Sequence, residues 1–235
     1  MNSISKEIIK KRWLICCLLF FHITCNSKKN YPDLTVSIND SIQVERNALA
    51  ALDSINLYKK LVKTGDLILR TGRDFTSETM KQLSLTDKTY SHCGIASIEN
   101  DTVFVYHSIG GEWNPNQKLR KDPFEFFCNP YENRGFGIFR YHLTPIEDSI
   151  FINVVHIFYK KEIKFDMQFN LATDDRMYCS EFVYKSLSKA INHKIILPTT
   201  TFNHIKFVAI DNLFINPLCK QIKRVVFSAP KSAAF

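Results

Sequence analysis

Ser91-His92-Cys93-Gly94-Ile95-Ala96-Ser97-Ile98-Glu99-Asn100-Asp101-Thr102-Val103-Phe104-Val105-Tyr106-His107 decides the architecture of this chain. β-branched and aromatic residues flank an Asn-Asp pair, which predicts two strands, 93–98 and 103–109, joined by a tight turn. A two-residue loop at Asn100-Asp101 pairs Glu99 with Thr102, and a four-residue loop pairs Ile98 with Val103. Both give one register, in which His107 lies opposite Gly94. His92 and His107 then share a face as diagonal neighbours, about 7–8 Å apart at Cα and within reach of two imidazoles. Cys93 points to the other face and is expected in the core.

Working outward, Leu67-Ile68-Leu69 follows Gly65-Asp66 and reads as a strand, with Asp66 shaping the turn before it. A Ser/Thr-rich connection runs from Ser77 to Thr89. Further upstream, residues 45–62 carry Leu49, Leu52, Ile55, Leu57 and Leu61 without Pro or Gly, which predicts a helix. Downstream, residues 110–131 contain Pro115, Pro123 and Pro130 and read as a long loop, and Phe136 to Tyr141 as a strand. Pro145 suits the first turn of a helix reaching Lys161. Met177 to Ile191 is the strongest helix, with Phe182, Val183, Leu187, Ala190 and Ile191 at helical spacing. Residues 195–227 give no clear assignment. The fold class is therefore α+β, an antiparallel sheet packed with helices.

The chain has 235 residues, 45% of them hydrophobic, enough for one core of about 150–200 residues. Lys6, Lys10, Lys11 and Arg12 precede an apolar run from Trp13 to Ile23, shorter than the roughly 20 residues of a bilayer span. Residues 1–25 read as a secretory signal of lipoprotein type with Cys25 as the lipidation site, although His22 and Thr24 stand where such signals carry a Leu-like and a small residue. An uncleaved anchor is the alternative. Either reading places the remainder outside the cytoplasm, on the periplasmic or cell-surface side, tethered to the membrane. Residues 26–60 then form a tether and an N-terminal helix, 61–227 the folded domain, and 228–235 a tail. Without residues 1–25 the net charge falls from +8 to +5. No basic stripe with interleaved aromatics is present, which argues against a nucleic-acid partner. The seven cysteines include no CxxC pair, so a zinc-ribbon reading is weak.

Tyr178-Cys179-Ser180-Glu181-Phe182 opens the strongest helix. A cysteine in a first helical turn lies in the field of unpaired backbone N–H groups, which stabilises thiolate below the free pKa of about 8.5. With an imidazole as base, such a sulfur attacks carbonyl carbon, and nearby N–H groups bind the oxyanion. His92 is the candidate base, and His107 the group that holds its ring.

Together, Gly65-Asp66-Leu67-Ile68, Ser91-His92-Cys93-Gly94-Ile95 and Tyr178-Cys179-Ser180-Glu181-Phe182-Val183 resemble the permuted papain-like amidases, the YiiX-like cysteine hydrolases of the NlpC superfamily, over roughly residues 61–191. The order of His92 before Cys179 is the permuted one. The resemblance implies a papain-like fold, Cys179 as nucleophile, His92 as base and position 107 as third polar member. It also implies that Tyr178 and Ser180 serve substrate or oxyanion. Where many relatives carry Glu, this chain has His107, which offers an acceptor without a fixed negative charge. No metal or organic cofactor is implied. The expected reaction is hydrolysis of an amide, such as one in cell-wall peptides. Two alternatives stand beside it. Relatives similar to lecithin–retinol acyltransferase act on lipid esters with a His, His, Cys arrangement, which His107 matches. A degenerate domain that only binds peptide or lipid is the other.

Overall fold

In the computed structural model, six strands pair antiparallel in a single sheet: β1 (Leu67–Gly72), β2 (His92–Glu99), β3 (Thr102–His107), β4 (Arg120–Pro123), β5 (Asn133–Tyr141) and β8 (Cys219–Val226). Their order is β4-β3-β2-β1-β5-β8, and β6 (Thr200–Phe202) and β7 (Ile205–Phe207) form a separate hairpin. The helices are α1 (Leu34–Lys59), α2 (Phe75–Gln82), α3 (Phe124–Phe127), α4 (Pro145–Lys160), α5 (Cys179–Ala190) and α6 (Ile210–Phe214). Residues 34–228 are described, so the expected signal 1–25 with Cys25 and the tail after 228 lie outside the described residues. The chain divides into two compact units, 1–39 and 40–235, and of the first only the helical residues 34–39 are described.

Period-two alternation sends side chains to two cores. Leu67, Leu69, Cys93 and Ile95 join Phe151 and Val155 of α4 and Phe182, Val183 and Leu187 of α5. Ile68, Ala96 and Val105 face the other way, with Ala51 and Ile55 of α1 and Phe124 and Phe127 of α3. The α+β expectation thus holds, and Cys93 lies in the core as read from its strand phase.

The hairpin forms in the expected register. Asn100 and Asp101 have φ of 47° and 62°, the left-handed pair of a two-residue turn, and Glu99 pairs with Thr102 through to Ile95 with Tyr106. Continuing the ladder places Gly94 across from His107. A Cβ on Gly94 would stand 2.7 Å from the Tyr106 carbonyl oxygen and 2.9 Å from His107 Cβ. Backbone on one side cannot yield as a side chain can, so Gly94→Ala is expected to push β2 from β3 at the histidine pair. The expected cost is about 1–3 kcal/mol, read as a fall in the urea midpoint.

Several segments differ from the expectation. The Ser/Thr-rich connection holds α2, whose first turn is capped by Asp74 accepting from Ser77 N at 2.9 Å. The supposed loop 110–131 contains β4 and α3. The charged Arg-Lys-Asp-Pro of β4 is tolerated because it is an edge strand. Helix α1 begins at Leu34, inside the stretch read as tether, and buries Ala48, Ala51 and Ile55, while Leu49 and Leu57 face outward. Ala51 and Ile55 share a core with Ile68, Ala96 and Val105 of the sheet. Residues 195–227 hold β6, β7, α6 and β8.

Candidate active site

His92 opens β2 and His107 closes β3, so the hairpin register brings their rings together at one end of the sheet. His92 Nε2 lies 2.8 Å from His107 Nδ1. His107 Nε2 lies 2.9 Å from Asp122 Oδ2 on β4, and Arg120 Nη2 lies 2.9 Å from the same carboxylate. Val105 pairs with Asp122 and His107 with Arg120, which places the carboxylate on the histidine face. Both histidines pack against the Phe127 ring, at centroid distances of 5.6 and 5.0 Å.

Burial disfavours the charged form of both rings. Burial lowers the His92 pKa well below 6.5, and the charge of Arg70, its partner across β1 and β2, adds to the effect. Burial also lowers His107, against the pull of Asp122. Burial works against the Asp122 charge, but hydrogen bonds from His107 and Arg120 outweigh it and hold the carboxyl below the usual range.

Cys179 is the first residue of α5. The Cys93 thiol, as donor, does most to lower the Cys179 pKa from 9.0, burial opposes it, and backbone N–H groups of Cys93 and Ser180 reinforce it. The sulfur is therefore at the peptide that joins His92 to Cys93. Among the described residues, no direct hydrogen bond joins it to the His92 ring. All four described cysteines are free, Cys128 and Cys219 included.

Three further bonds fix this corner. Ser108 Oγ donates to Met177 O at 2.6 Å, which ties the end of the histidine strand to the approach to Cys179. Tyr178 Oη accepts from Val208 N at 2.8 Å, and Ser180 Oγ donates to Val208 O at 2.7 Å. The hydroxyls of Tyr178 and Ser180 are thus engaged by backbone, and Ser180 still presents its N–H to the sulfur. Glu181 Oε2 accepts from Tyr178 N at 3.2 Å, and Lys185 pairs with Glu181 and Asp174. Burial pushes the Glu181 carboxyl up to about 7.

Residues 61–211 match the family described as permuted papain-like amidase enzyme, YaeF/YiiX. The chain belongs to this family. The uncharacterized Escherichia coli protein YiiX is 24% identical over 149 residues, 63% of this chain and 68% of that protein. The crystal structure of the metalloprotein YiiX from Escherichia coli O157:H7 superposes with a TM-score of 0.56 at 18% identity, over 70% of this chain and 98% of that one. The amidase-family match runs past the motif segments to include Val208, whose backbone holds Tyr178 and Ser180.

Sequence reasoning missed three groups at this papain-like site. Asp122 lies in a strand with no apolar alternation. Arg70 sits on a strand whose register against β2 the sequence does not show. Cys93 reads as core alone from its strand phase, although the same side chain also meets Cys179. Its position directly after His92 is the available signal.

Proposed function

We propose that this chain is an extracytoplasmic cysteine amidase in which the Cys179 sulfur, activated by His92, attacks an amide carbonyl. The observation that carries it is the placement of that sulfur at the His92–Cys93 peptide and at the mouth of α5. His92 commits Nε2 to His107. Its other nitrogen, Nδ1, is left as the candidate acceptor for the Cys179 proton. Since burial disfavours the charged ring, His92 acts as a general base rather than as a preformed imidazolium. Proton transfer frees the thiolate, which adds to the carbonyl. Backbone N–H groups at Cys93 and Ser180 stabilise the negative charge, and His92 returns the proton to the leaving amine. Water then resolves the acyl-enzyme.

An open cleft of about 430 Å³, lined by Asn116, Asp166, Gln168, Asn170, Asp175 and Arg176 among others, adjoins Cys179 in sequence. Its polar wall suits a peptide, such as one from the cell wall, better than an acyl chain. The signal-like residues 1–25, with Cys25 as lipid anchor, support a membrane-tethered place of action. YiiX is called a metalloprotein. Among the described residues of this chain, no three His, Cys, Asp or Glu side chains group as metal ligands. The facing nitrogens of His92 and His107 are committed to each other.

The test incubates the purified chain with peptidoglycan fragments and with phospholipid vesicles, with Cys179→Ala as the blank. New amine termini, and an acyl adduct on Cys179 detected by mass spectrometry, are the expected result. Release of fatty acid alone favours the lipid-ester reading, and no adduct with any substrate favours a binding domain.

A further inference from the structure

We propose that Asp122 is a positioning residue that sets the tautomers of both histidines and leaves His92 Nδ1 bare to take the Cys179 proton. The inference rests on the cysteine-hydrolase reading above and names a residue it did not contain. An ionised carboxylate only accepts, so the 2.9 Å contact from His107 Nε2 to Asp122 Oδ2 requires a proton on that nitrogen. A neutral imidazole carries one N–H, which leaves His107 Nδ1 a bare acceptor. The 2.8 Å contact between His107 Nδ1 and His92 Nε2 then requires the proton on His92 Nε2. His92 Nδ1 is bare in turn. One carboxylate on an edge strand thus dictates the proton position two rings away. Arg120, 2.9 Å from that carboxylate, favours its charged form.

The arrangement also supplies the charge that a histidine in the third position lacks. When His92 takes the proton, the Cys179 S–H bond breaks and its electron pair stays on sulfur. An N–H bond forms at His92 Nδ1, and no other proton needs to move. The imidazolium so formed is opposed by Asp122 through the His107 ring. Replacing Asp by Asn in a Ser-His-Asp triad reverses the tautomer and costs about 10⁴-fold. With one more ring intervening, a smaller effect is expected here.

Two measurements test this on the full chain. Long-range ¹⁵N–¹H spectra of histidine-labelled protein at pH 7.5, assigned with His92→Gln and His107→Gln, should show Nε2–H on both rings. A proton on Nδ1 of either ring overturns the proposal. Asp122→Asn should slow iodoacetamide alkylation of Cys179 at pH 7 by about 10-fold or more, with Asp122→Glu recovering most of the rate at unchanged circular dichroism. Wild-type reactivity in Asp122→Asn overturns it as well. Should the Asn variant not fold, the wild-type spectrum alone decides. Hydrolysis that survives Cys179→Ala would defeat the cysteine reading and leave the measured tautomers untouched.

Discussion

Alanine in place of His92 is expected to slow turnover by about 10²–10⁴-fold, the usual contribution of one general base. The ring makes one hydrogen bond, to His107, and packs on Phe127. Most of its removal should therefore register in chemistry rather than in folding, as unchanged circular dichroism would show. The pH dependence sharpens the expectation. His92 gains a proton only below its depressed pKa, and Cys179 loses one only above its own. Burial disfavours the charged imidazole, which works against a resting ion pair. Alkylation of Cys179 in the wild type should rise in a single step, with a midpoint shifted down from that of an ordinary thiol. A flat, fast plateau extending into acid would mean a preformed ion pair and would remove the general-base role.

The second large effect concerns stability. Asp66→Ala is expected to cost about 3 kcal/mol, a fall in Tm of roughly 6–12 °C. Asp66 is 1% exposed and accepts from Arg140 Nε at 2.7 Å, Arg140 Nη2 at 2.8 Å and Lys63 N at 2.8 Å. Arg140 also donates to Leu61 O at 2.9 Å, so one cluster joins the end of α1 to β1 and β5. Truncation strands a guanidinium and a backbone donor together. Arg140 keeps some contact with solvent, which sets the cost at the lower end for a broken buried pair. The double variant Asp66→Leu with Arg140→Met should lose less than the sum of the two single losses, measured by thermal unfolding.

Much of this fold is legible where local chemistry and tertiary burial agree. The β2–β3 register follows from alternation and the Asn-Asp turn, and α5 from its apolar stripe. The α4 start follows from Pro145 and the capping box of Thr144 and Glu147, whose amide donates to Thr144 Oγ1 at 3.3 Å. The cap of α2 by Asp74 is readable in the same way, but the Ser/Thr content of that segment masks it. Other parts are not legible. The phase of α1 is set by tertiary burial, which covers Ala48 and Ala51 and leaves Leu49 outside. Asp122 means nothing by itself. It acquires a role only when an edge strand of four residues docks in register with His107. Likewise, the sulfur's meeting with Cys93 depends on which face of the sheet receives α5.

Val208 grips the turn around Cys179 from both sides, its N–H taken by Tyr178 and its carbonyl by Ser180. The turn that carries Cys179 is consequently seated by a residue that is made after the hairpin and α5. A nascent or truncated chain that stops short of this residue lacks the brace that aims the sulfur. The seating of Cys179 should thus be complete only once the segment that carries Val208 has folded back onto α5.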